Sequence, residues 1–255
     1  MTETLLTSEF RGVLRYLRLS PMKETLPERV ELAKRENIPY QTFLELVLTD
    51  EMERRQRLSA LNRSKRASLD REMTLEKWDE SSKVTFDRRL FSELTRLRFI
   101  EEHHHVLLLG PVGVGKTFLA NALGHIACRR GYSVLMMRAE KMLKTLKAAR
   151  LDQTYDAEMR RLIHVALLIV DDLGLDQIDA DASRDLYEII VERHRRGSML
   201  VTSNREPQEW LSTMTDPLRA QSAIDRLQNA AYELVIEGES YRKRQKPRLD
   251  PESAR

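Results

Sequence analysis

HHHVLLLGPVGVGKTFLANAL, residues 103–123, joins a short apolar run to a glycine-rich bend and then to a second apolar pattern of different period. Val106 to Leu109 is a continuous apolar run of strand length. From Thr117 to Ala127 the apolar residues Phe118, Leu119, Ala122, Leu123, Ile126 and Ala127 recur at helical spacing. A strand, a loop and a helix are therefore predicted in that order. Gly110, Gly113, Gly115, Lys116 and Thr117 satisfy every defined position of G-x-x-x-x-G-K-[ST], a loop whose backbone N–H groups cradle nucleotide phosphates. Glycines let the loop turn and bring its amides against the ligand, and the positive end of the following helix faces the same point. The predicted nucleotide-binding residues are Gly110, Pro111, Val112, Gly113, Val114, Gly115, Lys116, Thr117 and Phe118, with Lys116 supplying a full charge and Thr117 a ligand for Mg²⁺.

A metal held by Thr117 takes a carboxylate from elsewhere in the chain. Ala166 to Val170 is a second buried-strand run, and it ends in Asp171-Asp172. Asp171 at the strand tip is the expected metal ligand, and Asp172 the group that polarises a water for attack on the γ-phosphate. Ser133 to Met137 and Met199 to Ser203 add two further strands, with helical patterns at Ala139 to Ala149 and Ala182 to Arg195. Strands alternating with helices in this way predict an α/β fold with a parallel sheet covered on both faces. Asn204 follows the fourth strand, where it faces the crevice in which such sheets bind ligands. A turn role for Asn204 before Arg205-Glu206-Pro207 accounts for its spacing equally well.

The first third of the chain reads differently. Leu5 to Leu19, Leu26 to Ala33 and Phe43 to Met52 carry helical periodicity, and the breaks Ser20-Pro21 and Ile38-Pro39 place prolines in the first turns of the second and third helices. Residues 1–100 hold 20 basic against 17 acidic side chains, so net charge says little and its distribution says more. The run Arg54 to Arg66 contains Arg54, Arg55, Arg57, Arg63, Lys65 and Arg66 and no acid, and it extends the third helix. Such an extension suits contact with the phosphates of duplex DNA. A solvated helix face is the ordinary alternative for a charge run. The basic cluster Arg242 to Arg248 reads as a charged terminus.

Several function classes are disfavoured. No apolar run is long enough to span a membrane, no secretory leader pattern opens the sequence, and the single Cys128 lies on an apolar-periodic helix as a packed thiol. The expected location is the bacterial cytoplasm, with nucleoid association through DNA. His103, His104 and His105 do not form a metal site, because adjacent strand residues point to opposite faces. They are expected to form a solvated lead-in to the first core strand. Trp78, Trp210 and the methionines read as packing.

The stretches GPVGVGKT, ALGHIACRRGYSVL, LLIVDDLGL, VTSN, the IDRL of residues 224–227 and the GESYRKR of 238–244 together resemble insertion-sequence transposition helper ATPases of the IstB type, a branch of the AAA+ superfamily close to bacterial helicase loaders. The resemblance is close over residues 86–246 and looser before them. It implies an AAA+ ATPase, with ATP and Mg²⁺, that forms homo-oligomers with ATP at subunit interfaces on duplex DNA and works with a cognate transposase. In that pattern Asn204 matches the sensor position, Arg226 the arginine finger given to a neighbouring subunit, and Arg242 the second-sensor arginine. Asp172 departs from the superfamily, where glutamate is usual. The expected organisation is a helical DNA-binding and oligomerisation domain over 1–70, a connecting segment over 71–86, the ATPase domain over 87–246 and a basic tail over 247–255. A helicase loader is the alternative, and a small-molecule kinase a more distant one, since a phosphate loop alone serves both.

Overall fold

The computed structural model describes residues 6–79, 81 and 83–241. Two compact units are present, Met1–Leu61 and Asn62–Arg255. In the first, helix α1 spans Ser8–Tyr16 with Thr7 as N-cap, its hydroxyl accepting the Phe10 N–H. Helix α2 spans Met22–Glu36 and stops at Asn37, which takes the left-handed conformation that ends helices. Helix α3 starts after Pro39 and spans Tyr40–Arg66, with Arg54, Arg55 and Arg57 of the basic run in the first unit and Arg63, Lys65 and Arg66 in the second. A small core of Leu14, Met22 and Val47, flanked by Leu19, Leu26 and Phe43, holds the first unit together. An Arg29–Asp50 ion pair at 2.7 Å joins α2 to α3.

The second unit continues through a short 3-10 turn at Leu75–Lys77, strand β1 (Val84–Thr85), helix α4 (Arg88–Thr95) and helix α5 (Arg98–Glu101). There follow β2 (His105–Leu109), α6 (Lys116–Arg129), β3 (Val134–Arg138), α7 (Ala139–Leu151), α8 (Tyr155–His164), β4 (Leu167–Asp171), α9 (Ala180–Arg193) and β5 (Ser198–Ser203). A 3-10 turn at Pro207–Thr213, α10 (Pro217–Asn229), β6 (Ala231–Val235) and β7 (Glu237–Gly238) complete the described elements.

Five strands form a parallel sheet in the order β3-β4-β5-β2-β6, and β1 pairs with β7 antiparallel. Side chains alternate across β2. Leu107 and Leu109 join the core under α7 to α10, whereas Val106 and Leu108 join the core under α4 to α6. Burial on both faces is why β2 reads as an unbroken apolar run. β6 has no counterpart among the strands expected from the sequence. At the sheet edge only Leu234 of β6 is buried, so Ala231-Tyr232-Glu233 gives no apolar run to find.

His105 corrects the expectation of a solvated lead-in. It is fully buried in β2, and its Nδ1 accepts the Met199 N–H at 3.1 Å. Burial, with Arg193 nearby, pushes its pKa down to about 4, so the ring is neutral at physiological pH. His103 is exposed and His104 half-buried, and no cluster of metal-ligating residues occurs among the described residues. Arg193 is also fully buried. Its guanidinium donates to the carbonyls of Leu162 and Ile163 near the end of α8, and to that of Ser198 at the start of β5. It thereby satisfies carbonyls that a helix terminus leaves without partners.

Candidate active site

The chain leaves β2 at Gly110, bends through Gly115 and enters α6 at Lys116, while β3, the next strand in sequence, lies at the far edge of the sheet. Such a reversal of strand order opens a crevice at the carboxyl ends of the strands. Gly110 sits at φ +145°, and a Cβ there would meet the Ile236 carbonyl oxygen at 2.0 Å. Gly115 sits at φ +100°, with the Trp78 ring where a side chain would be. The α6 amides of the first turn have no intrahelical acceptors and face the crevice as an anion site.

A cavity of about 490 Å³ lies at this point, with Lys116, Thr117, Phe118, Asp172, Asn204 and Trp78 in its wall. Lys116 is buried in the bend, and its Nζ donates to the carbonyls of Gly110 at 2.7 Å and Pro111 at 2.8 Å. The Thr117 hydroxyl donates to Asp171 Oδ1 at 2.9 Å. Asp171, at the tip of β4, is buried, and Thr202 of β5 donates to the same oxygen at 2.6 Å. Asp172 takes the left-handed conformation, φ +59°, with its N–H bonded to Thr202 Oγ1 at 2.9 Å. Asn204 follows β5, and its Oδ1 is buried without a hydrogen-bond partner among the described residues.

Thus the loop, the acidic pair and Asn204, read from three separated stretches, meet around one cavity. Val112 is exposed on the loop, whereas Val114 turns into the core under α4 to α6. Arg226 is on α10 and bonds its own helix, donating to the Ser222 carbonyl at 2.9 Å and to the Ser222 hydroxyl, and it is not in the cavity wall. Arg242 lies outside the described residues. Its neighbour Tyr241 lines the cavity and donates its N–H to the Gly113 carbonyl at 2.9 Å.

In the basic run, Arg55, Arg57, Lys65 and Arg66 are exposed. Arg54 and Arg55 share the buried carboxylate of Glu51 at 2.7 Å each, and Arg63 donates to the Cys128 carbonyl at 2.8 Å. The acid that neutralises part of the run sits one helical turn before it, a position that a count along residues 54–66 leaves out. Sequence reasoning also passed over Thr202, within VTSN, and treated Trp78 as packing. Trp78 does stack edge-on against Phe118 at 5.3 Å, but it is part of the cavity wall and its buried Nε1 lacks a partner among the described residues.

A parallel sheet of this strand order, with a phosphate loop after β2, an acidic pair at the tip of β4 and an asparagine after the intervening β5, defines an AAA+ P-loop ATPase. Residues 12–248 match the IstB-like ATP binding protein family, and the chain belongs to it. An insertion-sequence ATP-binding protein of Mycobacterium tuberculosis is 34% identical over 93% of this chain and 95% of its own length. The IS21 ATP-binding protein of Pseudomonas aeruginosa is 31% identical over 93% of this chain and 90% of its own. Among solved structures, DnaI superposes with a TM-score of 0.57 at 23% identity over 66% of this chain and 95% of that one. The DnaC helicase loader gives 0.55 at 18% identity over 66% of this chain and 98% of that one, a likeness of fold. No helix among the described residues is long and apolar enough to cross a membrane.

Proposed function

We propose that this ATPase is a transposition helper that assembles on duplex DNA, holds ATP between subunits and directs a cognate transposase to its target. The observation that carries the reading is membership of the IstB-like family, with insertion-sequence proteins as relatives over nearly the whole chain, joined to Lys116, Thr117, Asp172 and Asn204 around one cavity. Lys116 gives up its loop carbonyls for the β- and γ-phosphates. Thr117 and Asp171 present hard oxygens 2.9 Å apart, a donor pair suited to a cation that binds through one or two carboxylates plus substrate phosphates. Mg²⁺ held there supplies neutralisation of the phosphate charge. Asp172 polarises the attacking water, and the unpaired Asn204 oxygen accepts one of that water's protons. Arg226 acts on the γ-phosphate of a neighbouring subunit, and Arg242 on the nucleotide of its own.

Duplex contact falls to Arg54, Arg55, Arg57, Arg63, Lys65 and Arg66, of which Arg55, Arg57, Lys65 and Arg66 are exposed. The contacts are to phosphates, so affinity is expected to fall steeply with salt and to vary little with sequence. ATPase turnover and anisotropy of a labelled duplex, followed together between 50 and 200 mM salt in the presence of ATP, test this directly, with about a tenfold or greater loss of affinity expected. Duplex affinity that is absent at low salt, beside stable binding to a replicative helicase, would replace the helper with a loader.

A further inference from the structure

The turn that carries the acidic pair is held by the neighbouring strand. Thr202, fully buried in β5, donates its hydroxyl proton to Asp171 Oδ1 and accepts the Asp172 N–H, so both bonds of one oxygen end on the pair. The Thr202 carbonyl takes the Leu173 N–H at 2.9 Å, and the Ser203 hydroxyl donates to the Leu173 carbonyl at 2.7 Å. Ser203 Oγ in turn accepts Trp210 Nε1 at 3.0 Å and the Arg205 N–H at 3.1 Å. These bonds surround Asp172 at φ +59°, a conformation that a residue with a side chain keeps only where its surroundings over-determine it. The same strand then leads into Asn204 at the cavity.

We propose that Thr202 is a positioning residue for hydrolysis, its single hydroxyl fixing the Asp171 carboxylate and the Asp172 backbone together. The inference rests on the hydrolytic reading of this cavity. Valine has the shape of threonine but neither its proton nor its lone pairs. At position 202 it leaves the Asp172 N–H without its acceptor and removes one of the two hydroxyls on Asp171 Oδ1. The left-handed turn then loses a restraint at the residue that must aim a carboxylate at water. Nucleotide binding, which depends on the loop amides and Lys116, does not pass through these bonds.

The test compares Thr202→Val and Thr202→Ser in the full chain by kcat, KM, Mg²⁺-free affinity for a fluorescent ATP analogue and thermal melting without nucleotide. Thr202→Val is expected to lower kcat about a hundredfold, the loss that follows a displacement of about 1 Å, with nucleotide affinity within about threefold of wild type. Thr202→Ser, which keeps the hydroxyl, is expected to restore kcat to within about fivefold. A kcat for Thr202→Val within about twofold of wild type would overturn the proposal, as would a serine variant as slow as the valine one. Should Thr202→Val melt below the assay temperature, Thr202→Cys decides instead: its kcat must fall more than about tenfold with affinity preserved, and a smaller loss overturns the proposal. Lys116→Ala separates the two levels. Hydrolysis lost in Lys116→Ala but intact in Thr202→Val removes the positioning role alone, whereas hydrolysis intact in Lys116→Ala removes the reading on which it rests.

Discussion

Replacing Glu51 by glutamine tests the electrostatics of the basic run at its least exposed point. Glu51 is buried on α3, and the hydrogen bond from Arg54, with a further one from Arg55, holds its carboxyl at about 2, well below the 4.5 of a free glutamate. A difference of that size is worth at most about 3 kcal/mol. The Arg54 and Arg55 side chains are 32% and 51% exposed, and solvent screening reduces the expected contribution to about 1–2 kcal/mol. Because the folded pKa lies below the unfolded one, this stability is present above pH 4.5 and is lost as pH falls towards about 2. Glu51→Gln keeps the shape and removes the charge. Urea unfolding at pH 7 is therefore expected to show a loss of about 1–2 kcal/mol, and the acid limb between pH 4.5 and 2 to flatten. Two guanidinium charges are released at the same time. If Arg54 and Arg55 contact DNA phosphates, the slope of log affinity against log salt steepens by up to about 1.8, at roughly 0.9 per phosphate. Wild-type stability with an unchanged acid limb would refute the ion-pair argument, and an unchanged salt slope would remove Arg54 and Arg55 from the DNA surface.

Lys116→Ala is expected to weaken nucleotide binding at least about tenfold by removing a charged donor, while Asp172→Asn keeps binding and slows turnover about a hundredfold or more. Calorimetric titration beside phosphate release separates the two, and normal turnover in Asp172→Asn moves the water-activating role to another group. Mixing inactive Arg226→Ala with inactive Lys116→Ala is expected to restore part of the ATPase activity, since some interfaces then pair an intact phosphate site with an intact finger. Full activity of Arg226→Ala at high dilution rules the finger out. Burial lowers the His105 pKa to about 4, so the unfolded chain takes up the proton first and stability falls as pH drops from 6.5 towards 4. That loss is worth up to about 3 kcal/mol, and melting curves of His105→Gln are expected to lack this part of the pH dependence.

The parts of the fold that sequence reading reached are those in which neighbours in the chain share one environment. Val106 to Leu109 is buried on both faces, so its apolar run is unbroken. Gly110 to Thr117 carries a whole phosphate cradle in one contiguous stretch, which is why the loop was legible from spacing. β6 escaped because an edge strand with Tyr232 and Val235 exposed has no such run. Thr202 escaped for another reason: its partners Asp171 and Asp172 are about thirty positions away, and only the pairing of β4 with β5 brings a strand-end hydroxyl onto them. Glu51 shows the local version of the same effect. A helix makes neighbours of residues three and four apart, so Arg54 and Arg55 meet an acid that lies before the basic run begins.

Trp78 reaches the cavity by the route that the chain takes after α3. Beyond Arg66 the backbone is fastened to the ATPase sheet by the Ala67 carbonyl, which accepts the Met136 N–H at 2.8 Å. It is then fastened to the phosphate-binding helix by Asn121, a buried residue of α6. The Asn121 side chain accepts the Asp70 N–H at 2.9 Å and donates to the Thr117 carbonyl at 2.8 Å, so one amide bridges the connecting segment and the first turn of the helix that begins with Lys116. Eight residues after Asp70 the chain reaches Trp78, whose ring lies against Gly115. The segment that follows the basic run therefore forms one wall of the nucleotide cavity, tied to the first turn of α6 by a hydrogen bond and to Gly115 by a ring contact.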